Sequence, residues 1–204
     1  MSATAETRQA IAQARQSAAL RRRNLDSVQR SLGTEGALRR FRGEFFAGRD
    51  WSGARVGLYR ALPEELDLRP LEPLLERAGA RLWFPRVIPG PAPSLAWVAK
   101  PEGVGDFARG AYGIQEPLGE PDEPPPALDF IFVPGVAFGE RGERIGRGAG
   151  YYDRALAAQP QADRLALAFE VQLSPALPQD AWDLPVDWIF TAERAIQTRR
   201  GKGA

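Results

Sequence analysis

Apolar positions along this chain fall first in helical and then in strand-like patterns. Over residues 5–23, Ile11, Ala14, Ala18 and Ala19 share one side of a segment rich in Ala, Gln and Arg, which predicts a helix ended by Asn24. Gly33 punctuates again, and Leu38, Phe41, Phe45 and Phe46 predict a second helix over 35–47. Arg55-Val-Gly-Leu-Tyr59 and Arg81-Leu-Trp-Phe84 have the look of short buried strands. Between them, residues 70–78 predict a helix with Pro70 and Pro73 near its start, where a missing N–H costs little, and Gly79 just past its end. Strand, helix, strand in this order implies a parallel βαβ unit.

Residues 88–127 are rich in Pro and Gly, with one strand predicted at 95–99. Asp129-Phe-Ile-Phe-Val133 is a continuous apolar run, as expected of a central parallel strand. A Gly-rich loop follows, then a helix from about 151 to 158, and strands at 165–169 and 188–190. No internal repeat is present, and Pro124-Pro-Pro126 reads as a loop rather than a linker. The expectation is one α/β domain over 1–204, a three-layer sandwich with a largely parallel central sheet and N-terminal helices.

Composition narrows the chemistry. The chain has no cysteine and no histidine, which excludes disulfides, thiolate nucleophiles, histidine metal ligands and histidine-based triads. Lys100 and Lys202 are the only lysines, and neither sits in a GxxxxGK[ST] loop. What remains is carboxylates, arginines, tyrosines and backbone amides, which suffice for phosphoryl transfer. A net charge of +1 gives no global field for nucleic acid, so no nucleic-acid partner is expected. No apolar run suggests a membrane span or signal peptide, and the chain is read as a cytoplasmic monomer. Arginines crowd the N-terminal quarter from Arg8 to Arg42; most are read as a solvated helix face, a few as an anion site.

Residues 133–155 carry the strongest signal. Gly146, Gly148 and Gly150 tolerate positive φ and can turn successive N–H groups toward one point. The start of the next helix adds free amides, and Arg144 and Arg147 add charge. Such a loop suits phosphates; the bland reading is a tight structural turn. The string Pro134-Gly-Val-Ala-Phe138, then Arg144-Ile-Gly-Arg-Gly-Ala-Gly-Tyr-Tyr-Asp153, resembles the signature of the 5-formyltetrahydrofolate cyclo-ligase family. The resemblance runs from about residue 11 to 196. It takes in Tyr59 to Leu71, Phe84-Pro-Arg86, Tyr112-Gly-Ile-Gln-Glu-Pro117, Ala168 to Gln172 and Asp183 to Asp187.

That resemblance implies an enzyme that uses ATP and Mg²⁺ to cyclise 5-formyltetrahydrofolate to 5,10-methenyltetrahydrofolate. It implies ATP contacts at Arg15, Arg144, Ile145, Gly146, Arg147, Gly148, Ala149, Gly150, Tyr151 and Tyr152, with Arg147 through Tyr151 also facing the folate. Glu65 and Arg60 fall at substrate positions, Arg144 and Glu65 at catalytic ones, and Asp153 and Asp183 at Mg²⁺ positions. Hard oxygen donors in small number fit that ion. Each has a plainer reading: Asp153 as a first-turn helix acid, Asp183 as a turn residue, Tyr59, Trp97 and Tyr112 as core, Glu116 as either. At the N-terminus, the family's phosphate-seeking lysine falls on Ile11, and Arg8 lies one turn earlier as a substitute. The main rival is a non-catalytic relative that binds a nucleotide or RNA; a second is a sugar-phosphate or acyl-transfer enzyme on a similar α/β fold, which the scarcity of lysine disfavours.

Overall fold

The structure, a computed structural model, describes residues 4–90, 94–101, 106–180 and 182–198. Lys202 lies outside the described residues. The helices are α1 (Ala5–Arg23), α2 (Ser27–Phe41), α3 (Glu72–Arg77) and α4 (Tyr151–Ala157). The Thr4 hydroxyl caps α1 by accepting from the N–H of Thr7, and Arg21, Arg22 and Arg23 sit in its last turn, where cations suit the dipole.

The second helix starts eight residues before its expected position. Asp26 and Gln29 form a capping box that launches α2 at Ser27, and a π-helical turn over Arg42–Phe46 continues it. Gly33 is not a stop. A Cβ there would meet the Phe169 ring at 2.7 Å, so glycine is required by close packing in the helix interior. The α3 segment opens with a 3₁₀ turn at Arg69–Leu71 and ends before Gly79, whose φ is +89°.

The strands are β1 (Arg55–Gly57), β2 (Arg81–Ile88), β3 (Ser94–Ala99), β4 (Phe107–Arg109), β5 (Gln115–Pro117), β6 (Phe130–Phe132), β7 (Ala137–Gly139), β8 (Arg144–Ile145), β9 (Asp163–Leu167), β10 (Leu173–Ser174), β11 (Trp188–Phe190) and β12 (Ala195–Gln197). Seven of them form the main sheet, in the order β12-β11-β9-β6-β1-β2-β3. The five inner strands are mutually parallel, and β3 and β12 close the two edges antiparallel. The βαβ unit from β1 to β2 is parallel as expected. A small β10-β7-β8 sheet lies beside it, and β4-β5 forms a hairpin.

Each face of the main sheet carries its own apolar layer. Phe41, Phe45 and Leu38 of α2 and its continuation, with Leu71 and Leu75, cover one face against Val56, Phe132 and Phe190. The Phe41 ring meets those of Phe132 and Phe190 edge-on at 5.4 and 5.5 Å. Leu156 of α4, with Trp83, Trp97 and Ile131, fills the other. Trp97 is therefore core, 4% exposed, and packs where a Cβ on Gly57 would lie 2.9 Å from it. Ala18 of α1 packs with Val136, Ala137 and Ile145 over the small sheet. The Pro124–Pro126 run is tied down by Gln159, which donates to the Pro126 carbonyl and accepts from Leu128 N–H.

Arg8, Arg21, Arg23, Arg39 and Arg42 are exposed, in keeping with a mostly solvated face, while Arg15, Arg22, Arg30 and Arg40 are partly or wholly buried. Arg22 is buried; its Nη1 donates to the Gly135 carbonyl and its Nη2 stands 3.6 Å from Glu64. Arg30 donates to the carbonyls of Leu25, Glu64 and Arg22, Arg21 to that of Val171, and Arg40 to those of Ala192 and Glu193. A guanidinium has five donors in a rigid fork, so it can tie several loop carbonyls at once. These side chains clamp α1 and α2 to the rest of the chain.

Candidate active site

In the sheet order, β1 has β2 on one side and β6 on the other, so the chain reverses its winding direction between β1 and β6. In open parallel sheets, ligands bind in the crevice beyond the carboxyl ends of the strands at such a point. A cleft of about 680 Å³ opens there. Tyr59, Leu62 and Glu65 reach it from the segment after β1, and Pro134, Gly135 and Val136 from the segment after β6. The Gly-rich loop 146–150 and the start of α4 form its middle, and α1 supplies Arg8, Ile11 and Arg15.

The loop takes its shape from two different demands on glycine. Gly148 and Gly150 have φ of +98° and +68°, a region costly for other residues. Gly146 does not adopt positive φ, contrary to the expectation for all three. Its requirement is room, because a Cβ would stand 2.8 Å from Nη1 of Arg144. Arg15 reaches the loop from α1 and donates from Nε to the Gly146 carbonyl at 2.8 Å.

Arg144 is 5% exposed and forms an ion pair with Asp153, while its Nη1 donates to the Pro134 carbonyl. Its Nε is buried with no hydrogen-bond partner. A cation held this way is fixed in position before any ligand arrives. Asp183 also faces the cleft and accepts from the Asp180 N–H. Burial, then the nearby Asp153 charge, holds the Asp183 carboxyl above its ordinary value, so the two carboxylates feel each other. Among the described residues no three carboxylates gather as a ready metal cage. Two carboxylates lining one cleft and feeling each other's charge would fit Mg²⁺, which keeps waters and takes phosphate oxygens for most of its shell.

In the same cleft, Glu65 is nearly buried and accepts from the Leu62 N–H at 3.1 Å. Burial raises its carboxyl above the ordinary value, against that hydrogen bond and the pull of Arg147 and Arg22. Arg147 bridges both glutamates, at 2.6 Å from Glu64 and 3.6 Å from Glu65. Glu64 is thus no free loop acid. The Tyr152 hydroxyl is buried without a partner, and burial, then Glu65, pushes its proton loss far upward, so it stays a donor. Tyr59 lies in the same wall, 7% exposed, and burial likewise keeps it protonated.

Ile145, Ala149 and Tyr151 line the cleft with the rest of the loop. Tyr112 also lines it and is not core. It is 68% exposed, has a positive φ of 57°, and its hydroxyl meets that of Tyr151 at 3.2 Å. Glu116 lines the cleft as well, with a buried, unpartnered Oε1. Arg60 is the departure. It pairs with Glu72, its guanidinium lies against the rings of Phe84 and Phe107 at 4.7 and 4.0 Å, and it is absent from the cleft wall. The stacking and the acid satisfy it on the far side of β2. Leu62, Pro85, Val87, Leu95, Ile114, Asp180 and Trp182 line the cleft without having been singled out in the sequence. The reversal of strand order would have pointed to Leu62; Trp182 had the signal of standing beside Asp183.

Comparison with known proteins adds an independent observation. Residues 2–192 match the 5-formyltetrahydrofolate cyclo-ligase family. The chain belongs to that family. It is 31% identical over 144 residues to the 5-formyltetrahydrofolate cyclo-ligase of Escherichia coli K12, covering 68% of this chain and 78% of that one. It is 28% identical over 147 residues to the Mus musculus enzyme of the same name, covering 67% and 72%. The NMR structure of Aquifex aeolicus 5,10-methenyltetrahydrofolate synthetase superposes with a TM-score of 0.71 at 31% identity over 95% of each chain. A Mycoplasma pneumoniae 5,10-methenyltetrahydrofolate synthetase shares the fold, with a TM-score of 0.67 at 20% identity over 89% of this chain and 98% of that one. The cyclo-ligase family is one of enzymes, and the chain is an enzyme of it. No helix among the described residues is long and apolar enough to cross a membrane.

Proposed function

We propose that this chain closes 5-formyltetrahydrofolate to 5,10-methenyltetrahydrofolate at the expense of ATP, with Mg²⁺. The observation that carries this reading is one cleft that brings two chemically distinct groups of residues together. A nearly buried glutamate, Glu65, is suited to accept from the amino-pterin edge. Arg15, Arg144, Asp153 and Asp183, lining the cleft with the Gly-rich loop, are suited to a magnesium triphosphate.

The N5-formyl carbon is amide-like and resists attack. In this reading the formyl oxygen attacks the γ-phosphorus of ATP, the bond to the ADP oxygen breaks, and an imidate phosphate forms. N10 then attacks the formyl carbon, the five-membered ring closes, N10 loses its proton, and phosphate leaves with the C–O bonding pair. Arg144, fixed by Asp153 and Pro134, neutralises charge developing on the transferred phosphoryl group. Arg147, bridging Glu64 and Glu65, ties the loop to that stretch of the cleft wall and so orients the two substrates together. Asp153 and Asp183 would hold the metal, which when bound neutralises phosphate charge. No histidine or cysteine is called for.

The test is incubation with 5-formyltetrahydrofolate, ATP and Mg²⁺ while following the absorbance of the methenyl product. Product that needs all three supports the reading. Its absence under those conditions favours a binding module. The N-terminal arginines give that rival little support, since Arg21, Arg22, Arg30 and Arg40 are engaged with carbonyls.

A further inference from the structure

On α1, Arg8, Ile11 and Arg15 are three and four residues apart and all reach the cleft, so they stand in one row. Arg15 already touches the Gly-rich loop. Ile11 offers only hydrocarbon, and it packs against the cluster of Ala18, Val136, Ala137 and Ile145. Leu177 packs on that same cluster, and it belongs to the segment that leads to Trp182. Both Ile11 and Trp182 line the cleft and flank one stretch of the loop: Trp182 stands beside Asp183, whose carboxyl feels Asp153 and Arg144, while Ile11 lies one turn before Arg15, which holds the Gly146 carbonyl next to Arg144. Trp182 is 54% exposed there, an indole left open to water on a cleft wall.

Ile11 has no group that can bind phosphate, and most of the Trp182 indole surface is an apolar face. What they can bind is a flat, apolar-faced ring that arrives attached to phosphates. We propose that Trp182 and Ile11 form the base subsite of the nucleotide: the Trp182 indole stacks on the purine, and Ile11 closes the subsite from α1. The inference rests on the ATP reading above and deepens it. It gives Ile11 a role at a position that would otherwise hold a cation. Base-on-indole stacking is tolerant of base identity, because every purine presents the same π-face. ATP and GTP are then used with similar KM, and a donor without a base loses this contact altogether.

The experiment titrates wild type, Trp182→Ala, Trp182→Phe, Ile11→Ala and Arg15→Ala with Mg·ATP and, separately, with Mg·tripolyphosphate, which has no base. Calorimetry gives the affinities. Expected for Trp182→Ala is an ATP affinity about tenfold weaker with tripolyphosphate unchanged, and Trp182→Phe recovers most of the loss. Ile11→Ala shows a smaller loss confined to ATP. Arg15→Ala weakens both ligands alike, because it acts on phosphate. Unchanged ATP affinity in Trp182→Ala overturns the base subsite and leaves the ATP reading standing. Equal loss of both ligands in Trp182→Ala overturns it as well, since Trp182 then only shapes the wall. A raised KM for 5-formyltetrahydrofolate with ATP affinity intact assigns the indole to the folate and sinks the proposal. If wild type binds neither ATP nor tripolyphosphate, the ATP reading fails and the subsite falls with it.

Discussion

Arg15 and Gly146 stand 131 residues apart in sequence, yet the Arg15 Nε–H is bonded to the Gly146 carbonyl at 2.8 Å. Helix α1 is thereby a wall of the site, with two arginines on it that differ in setting. Arg15 is half-buried on the loop, while Arg8 is exposed. Arg15→Ala is expected to weaken ATP binding by about tenfold, in line with the ~1.5–3 kcal/mol typical of a hydrogen bond to a charged group. Arg8→Ala is expected to cost less, and its effect should vanish at 0.5 M salt because an exposed charge is screened. ATP affinity at fixed folate and two salt concentrations checks both. An effect of Arg8→Ala that persists in salt would place it on the phosphates, in direct compensation for Ile11.

Arg144→Ala is expected to lower kcat by about 100-fold or more, the scale set by losing one fixed charge-stabilising donor. Stability falls too, because Asp153 loses its partner in a partly buried setting. Arg144→Lys keeps the charge but not the fork, so it should recover stability before it recovers turnover. Thermal melts beside steady-state rates separate the two effects. A melting point lowered while the folded fraction keeps full activity would make Arg144 purely structural.

What the sequence showed and hid follows from range. The bounds of α1 and α3 were legible because caps and Pro–Gly punctuation act within a turn or two of the residues they govern. The start of α2 was hidden because Gly33 looked like a stop, and its reason, the Phe169 ring, lies 136 residues away in sequence. The capping box at Asp26 and Gln29 is a local signal that the spacing of apolar positions does not bring out. Arg144 and Asp153 stood out through a long contiguous motif and Glu65 through the separate 59–71 segment, and all three line the cleft. The Arg60–Glu72 pair and the Arg147 bridge to Glu64 were not, since any arginine and any acid have the same local pattern. The openness of Tyr112 and Trp182 was equally silent, as an aromatic residue gives no local sign of which face it will take.

Glu65 ties stability to pH. Its carboxyl is raised above an ordinary value of 4.5, chiefly by burial. Below 4.5 the acid is neutral both folded and unfolded, and its contribution to stability is complete. As pH rises through the folded value, a charge must be kept in the cleft wall and that contribution is lost. Glu65→Gln is therefore expected to melt near wild type at pH 4 and above it at pH 7, while losing folate affinity. Melts at both pH values, with folate binding at pH 7, check this. A variant less stable than wild type at pH 7 would mean that Arg147 and Arg22 outweigh burial.

Asp183→Asn preserves size and removes one charge from the pair with Asp153. The Mg²⁺ concentration needed for half-maximal turnover is expected to rise several-fold, with folate affinity unchanged. Asp153→Asn should do the same and also loosen Arg144, so its kcat falls further. Superimposable Mg²⁺ titrations for wild type and both variants would show that the ion rides on ATP alone.

The cleft draws its walls from distant stretches of the chain: residues 8–15 of α1, the turn at 62–65, the loop at 144–153, and Asp180, Trp182 and Asp183. During synthesis the N-terminal helix leaves the ribosome first, without its partners. The β1 and β2 strands can pair early, but β11, on the flank of the parallel core, is not made until residue 190. A nascent chain therefore cannot complete this cleft until residues through about 190 have emerged. Ligand binding becomes a late event in the life of each molecule, and a stalled or truncated product lacking residues beyond about 180 would be unable to capture either substrate productively.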